Sequence, residues 1–167
     1  VGEVCGDDNS TARFERFDRL PGGGRRGLVS LGALDDALVG GDRQDWPSTT
    51  QALRRLKLIT DDDHRRARIA WHFGRLIDNS DMHRGNLSFL VDDALKLAGL
   101  APIYDMLPML HAPIAGQLVE RAPVPVHLGP ADDDIRSLVE DAASSFWQAV
   151  ADVNLWGTLR MIRAALP

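Results

Sequence analysis

Between Thr60 and Asp105 the hydrophobic pattern changes period, and this change fixes an order of elements more firmly than anything else in the chain. Ile69, Phe73, Leu76 and Ile77 recur at steps of three and four, the spacing of one packed helix face, while Arg65, Arg66, Arg68 and Arg75 lie largely off that stripe. Thr60 is placed to cap the helix, with Asp63 at the third helical position and Asp61 to Asp63 facing the positive end of the helix dipole. The stripe gives way to a polar run from Asp78 to Asn86. Leu87-Ser-Phe-Leu-Val91, an Asp92-Asp93 turn and Leu95-Lys-Leu97 then read as a β-hairpin that returns the chain so that Asp105 approaches Asn86. This order predicts an α+β fold, mainly α, with a short β-hairpin after a loop held between two regular elements.

The loop Asn79-Ser-Asp-Met-His-Arg-Gly-Asn86 sets Asp81 and Asn86 five positions apart. An Asp so placed can accept the proton of an attacking hydroxyl. An Asn five residues later can offer a neutral carbonyl oxygen to the Mg²⁺ that neutralises phosphates, and a second acid is expected downstream. Asp105, in Ala101-Pro-Ile-Tyr-Asp-Met-Leu-Pro108, fills that place. The pair alone is a weak signal, because Asp81 can equally cap a turn and Asn86 can supply a left-handed residue. The joint pattern of helix, loop, hairpin and acid favours the chemical reading.

With Phe14-Glu-Arg-Phe-Asp-Arg19 near the start, these motifs resemble the HipA family of bacterial serine/threonine kinases, the toxins of many toxin-antitoxin pairs. The resemblance spans most of residues 12–167. It implies a protein-kinase-like C-terminal lobe formed by the whole chain as a single domain, with residues 1–20 as the hinge-strand region. It places Glu15, Arg16 and Phe17 at the adenine of ATP and Asp81 as general base. It sets His83, Arg84, Gly85 and Asn86 close to the phosphates, and makes Asn86 and Asp105 the Mg²⁺ ligands, with Tyr104 packing beside or orienting Asp105. His83 has a second reading as a loop histidine that bonds the backbone and fixes the turn.

The chain departs from the family between hinge and helix, where Leu31-Gly-Ala-Leu-Asp-Asp-Ala-Leu-Val-Gly-Gly-Asp-Arg-Gln-Asp-Trp-Pro47 replaces the usual Gly-Leu-Pro and Lys-Tyr segment. The resemblance starts at the hinge, Val1 is not an initiator Met, and the only lysines are Lys57 and Lys96. A phosphate-gripping N-terminal lobe is therefore expected outside this chain, which reads as part of a longer protein.

Composition bounds the alternatives. A length of 167 residues, 44% hydrophobic and 26% charged, suits one globular domain. A formal net charge of −5 and a pI near 5.4 argue against a nucleic-acid surface. Cys5 is the only cysteine, which excludes an intrachain disulfide and fits a reducing compartment. No apolar run suits a membrane span and no basic-then-apolar segment suits a signal peptide, so a cytoplasmic location is the default. The arginines at 54, 55, 65, 66 and 68 read as a solvated helix face.

Elsewhere, Pro21-Gly-Gly-Gly-Arg-Arg26 reads as a hairpin turn, lacking the spacing of a phosphate cradle. Ser48-Thr-Thr-Gln51 resembles a capping box opening a helix through Leu58. Pro108, Pro113, Pro123, Pro125 and Pro130 punctuate a loop-rich stretch suited to substrate contacts. Asp132 begins a long helix with Ile135, Leu138, Val139, Ala142, Phe146 and Val150 as core, extended by Leu155, Trp156, Leu159 and Ile162. Trp46, Trp71, Trp147 and Trp156 read as core or interface aromatics. His64, His72, His111 and His127 lack a zinc-like spacing. The expected partners are a protein substrate with Ser or Thr and an antitoxin. The rival readings are a small-molecule phosphotransferase and a kinase-shaped binding module without turnover.

Overall fold

Local capping and packing produce, in chain order, strand β1 (Gly27–Ser30), helix α1 (Leu31–Leu34) running into a π-helical turn (Asp35–Val39), helices α2 (Trp46–Arg55) and α3 (Asp61–Leu76), strands β2 (Ser88–Val91) and β3 (Leu97–Leu100), and helix α4 (Arg136–Ala165). The structure is a computed structural model that describes residues 16–20, 22–40, 45–112 and 125–165, with side chains described through residue 152. The described residues are α+β and mainly helical, as the periodicity predicts. None of their helices is long and apolar enough to cross a membrane.

The capping box of α3 forms as read, with the Asp63 amide donating to Thr60 Oγ1 and the Thr60 amide donating to Asp63 Oδ2, each at 3.0 Å. Asp63 also reaches further. It is 5% exposed, and its Oδ1 accepts the Leu100 amide at 2.8 Å, which stitches the start of α3 to β3. Burial opposes its ionisation, but the bonds from Thr60 and Leu100, with Arg66 nearby, outweigh burial and hold the carboxyl below its ordinary pKa. At the other end of α3 the Asn79 amide donates to the Gly74 carbonyl at 2.8 Å and the Asp78 amide to the Arg75 carbonyl at 3.2 Å. This is a Schellman closure with Asp78, φ 58°, in the left-handed position that glycine usually takes. It turns the chain abruptly out of the helix and into the loop.

The sheet has three antiparallel strands in the order β1-β2-β3. The hairpin exists, but its second strand starts at Leu97. Leu95 is 87% exposed in the turn, where Asp92 Oδ1 accepts the amides of Ala94 and Lys96. β1 was not anticipated, being too short to display a period. It pairs with β2 from Gly27 opposite Val91 to Ser30 opposite Ser88, which makes β2 the central strand. The core lies between this sheet and helices α2 and α3, and centres on Leu31, Trp46, Leu53, Ala67, Leu87 and Phe89.

Several sequence expectations need correction. The N-cap of α2 is Asp45, whose carboxylate takes both the amide and the hydroxyl of Ser48, so the helix starts at Trp46 and ends at Arg55. Helix α3 is packed on two sides. Ala67, Ala70 and Gly74 are its buried small residues, alongside the buried Asp63, His64 and His72, while Ile69, Phe73 and Leu76 are half-buried, because small residues permit the close approach of α2 and the sheet. Its other side meets α4, where Phe73 stands edge-on to Phe146 at 6.1 Å and Trp147 Nε1 donates to the Leu76 carbonyl at 3.0 Å.

Helix α4 begins at Arg136, after a turn; Ile135 just before it and Val139 and Ala143 within it are buried at four-residue steps. Leu138 and Ala142, expected in the core, are exposed. The side chains of Leu155, Trp156, Leu159 and Ile162 lie outside the described residues, as do Pro113 and Pro123. Arg68 is not on a solvated face, because it bonds Asp132 at 2.9 Å and Asp134 at 2.6 Å, and this clamps α3 to the start of α4. Arg16 to Asp18 form a turn closed by the Arg19 amide on the Arg16 carbonyl, not a strand. The predicted hairpin turn follows, with Arg19 bridged to Arg25 and with Gly22 and Gly23 at positive φ.

Candidate active site

The loop after α3 is held from several directions. Trp46, 1% exposed and tilted against Trp71 at 5.7 Å, donates its indole N–H to the His83 carbonyl at 3.1 Å. Arg84 pairs with the buried Asp35 and reaches Asp36 at 3.5 Å, anchoring the loop to the turn after α1. Asn79, buried, uses both halves of its amide. Its Oδ1 accepts the Asp81 amide at 3.0 Å, and its Nδ2 donates to the Asp105 carbonyl at 3.0 Å. A single side chain therefore ties the two acids' backbones together.

His83 Nδ1 accepts the Gly85 amide at 2.9 Å, so the neutral ring carries its proton on Nε2, which stands 3.6 Å from Asp81 Oδ1. The ring thus fixes the turn and also faces the candidate base. A Cβ on Gly85 would lie 2.7 Å from the ring, so glycine is what permits this approach. Asn86 donates its Nδ2 to the Asp81 carbonyl at 2.9 Å, which leaves its Oδ1 without a partner among the described residues. The Asp105 carboxylate likewise makes no described hydrogen bond, and Asp105 itself has φ 54°. Holding a non-glycine residue there costs about 1–2 kcal/mol, the kind of strain that gathers at functional sites.

One unengaged carboxylate and one unengaged amide oxygen suit Mg²⁺, a hard cation that prefers oxygen ligands and keeps phosphate and water in its shell. Among the described residues no group of three or more His, Cys, Asp or Glu could hold a metal. Asn86 and Asp105 would therefore act together with phosphate oxygens.

Beside this loop opens a cleft of about 810 Å³, whose lining includes Arg16, Phe17, Leu28, Tyr104, Asp105 and Met106. Phe17 stacks on Tyr104 at 6.0 Å. The Tyr104 hydroxyl donates to the Gly85 carbonyl at 3.0 Å and lies 2.8 Å from the Ser88 hydroxyl, which fastens the cleft to the loop and to β2. Arg16 is exposed and bonded twice to Asp18, an interaction that raises the pKa of Arg16 and lowers that of Asp18. Four residues read from the sequence, Arg16, Phe17, Tyr104 and Asp105, thus share one cleft. Gly85 is bonded to its wall. Arg84 is committed to Asp35 and Asp36, and Glu15 lies outside the described residues.

Residues 4–153 match the HipA-like C-terminal domain. The chain belongs to the HipA family. The HipA-like chain is also 35% identical over 155 residues to the toxin YjjJ of Escherichia coli (strain K12), across 92% of this chain and 34% of that protein. It spans about a third of the length of the curated relative it matches.

Sequence reasoning passed over three residues that shape this HipA-like site. Asn79 precedes the candidate base by two, a spacing that by itself signals a side-chain-bonded turn. Asp35 carried no signal, because its partner Arg84 is far away in sequence. Gly74 was visible as an isolated glycine in a helical pattern. A Cβ there would fall 2.6 Å from the Met82 side chain and 3.3 Å from Met106 Sδ, the residues that directly follow Asp81 and Asp105.

Proposed function

We propose that this domain is the C-terminal catalytic lobe of a serine/threonine-protein kinase acting as the toxin of a toxin-antitoxin pair. One observation carries the reading. A cleft of nucleotide size, lined by the turn at Arg16 and Phe17 and by Tyr104 and Asp105, is fastened by hydrogen bonds to a loop that presents Asp81 and Asn86. In the proposed reaction the hydroxyl oxygen of a substrate Ser or Thr bonds to the γ-phosphorus of ATP. The bond from that phosphorus to the β–γ bridging oxygen breaks to leave ADP, and Asp81 accepts the hydroxyl proton. Mg²⁺ held by Asn86 and Asp105 would supply charge that offsets the phosphates. The His83 Nε2–H faces Asp81 at 3.6 Å, outside hydrogen-bond range, and Phe17 and Tyr104 offer an aromatic wall to adenine. An upstream lobe would cover the nucleotide from the other side, and an antitoxin is the proposed partner.

Calorimetric titration of ATP into the full-length protein, with and without Mg²⁺, tests the reading. Mg²⁺-dependent binding that Asp105→Ala abolishes is the expected result. No binding to folded full-length protein would overturn it in favour of a partner-binding module, and turnover of a sugar or aminoglycoside without protein phosphorylation would favour a small-molecule phosphotransferase.

Gly74→Ala should separate stability from activity. Alanine in a helix interior is favoured over glycine by up to about 1 kcal/mol, and flexible methionines yield to it, so the unfolding midpoint should shift little. The displaced Met82 and Met106 would drag the acids they follow, and a misplacement near 1 Å can cost about 10²-fold in rate. Unaltered turnover in Gly74→Ala would show that the methionines do not set the acids.

A further inference from the structure

At Asn79 a separate recess of about 200 Å³ is lined by Arg75, Asp78, Asn79, Ser80, Leu110 and Val126. It is too small for a nucleotide and large enough for one side chain. Its polar groups are unevenly committed. Asp78 is held by His111 Nε2 at 3.0 Å, and the Asn79 amide is spent on Asp81 and Asp105. The Arg75 guanidinium and the Ser80 hydroxyl make no hydrogen bond or ion pair among the described residues. The recess thus brings together the Arg75 cation, the Ser80 hydroxyl and an apolar wall from Leu110 and Val126, beside an Asp78 carboxylate that His111 already holds. Guanidinium and carboxylate match in plane and charge, and the wall suits a methylene stem. A cation in the last turn of α3 also offsets the helix dipole, but that role requires neither a recess nor a free hydroxyl beside it.

Ser80 directly precedes Asp81, so a side chain seated here belongs to a residue close to the hydroxyl that Asp81 receives. We infer that this recess is a specificity pocket for an acidic side chain, glutamate above all, flanking the target Ser or Thr of the protein substrate. The inference rests on the kinase reading for its substrate, while the binding it describes can be measured without turnover.

The experiment uses the full-length protein and an array of Ser-centred peptides carrying Glu or Gln at each flanking position in turn. Binding is read without ATP and transfer with labelled ATP. At one or two flanking positions Glu should bind at least about fivefold tighter than Gln, the scale of an accessible Arg–carboxylate pair. Arg75→Gln should erase that difference, and Arg75→Lys should restore part of it. Folding of each variant is checked by its unfolding midpoint, which should fall only slightly in Arg75→Gln, through the lost offset of the helix dipole. Equal binding of Glu and Gln peptides to the wild type, or a preference that survives Arg75→Gln, would overturn the pocket. Arg75-dependent binding without transfer to any peptide would instead overturn the kinase reading and leave the pocket standing.

Discussion

Asp81→Asn in the full-length protein is expected to lower phosphoryl transfer by about 10²–10⁴-fold, the usual contribution of a positioned proton acceptor. ATP affinity and fold should be nearly unchanged. The side chain is about half exposed and its only described polar neighbour is His83 Nε2 at 3.6 Å, so an isosteric amide removes basicity without opening a cavity. Asn79 holds the backbone of residue 81 through its amide, and that bond survives the substitution. Turnover, ATP titration and the denaturant midpoint are measured on the same preparation. Transfer at the wild-type rate would remove Asp81 from the role of base.

The largest stability effect should come from Asp63. Asp63→Ala removes the carboxylate half of the capping box, leaving the residue-63 amide on Thr60 Oγ1, and strands the buried amide of Leu100; the weakened cap and the orphaned donor together cost about 2–4 kcal/mol. The substitution unpicks α3 from β3 as well as fraying the helix. Its pKa is lowered in the folded state, so its contribution is fully present above the ordinary value of 3.8 and is lost as pH falls through the lower folded one.

His64 and His72 act at higher pH. Burial lowers both pKa values, helped at His64 by Arg54 and Arg68 and opposed at His72 by Asp132, so each favours the fold as a neutral ring. Their contribution is complete above 6.5 and fades as pH falls through the lowered folded values. Denaturant midpoints against pH should therefore decline first below about 6.5 and again in strong acid, with Asp63→Ala flattening only the second decline. A profile in which Asp63→Ala kept the acid limb would refute this assignment.

What was legible in the sequence were features whose causes are local. The Thr60–Asp63 cap, the loop that follows α3, the Asp92 turn and the hairpin after it depend on residues within a few positions of one another, and they formed nearly as read. What was missed depends on contacts made across the chain. Strand β1 exists because β2 needs a partner, and Arg68 faces inward because Asp132 and Asp134 arrive from far along the sequence. The α4 face was misjudged because a helix packed along one narrow ridge leaves Leu138 in solvent. At the site, the residue types were visible in the motifs. The bonds from Trp46, Asn79 and Tyr104 that gather them were not, because a hydrogen bond to a distant carbonyl leaves no periodic trace.

The pairing of β1 with β2 also carries a temporal consequence. Residues 27–30 find their partners only at residues 88–91, with α2, α3 and the loop enclosed between them. Closing so long a segment costs entropy before any sheet contact repays it, and contacts of this separation slow folding. During synthesis the helices can form as they leave the ribosome, and Trp46 and Asp35 can hold the loop early, but the sheet closes only once the central strand has emerged and zipped onto the first. The pairing therefore delays closure of the sheet until residue 91 has been made, with the cleft residues 102–107 and helix α4 still to follow.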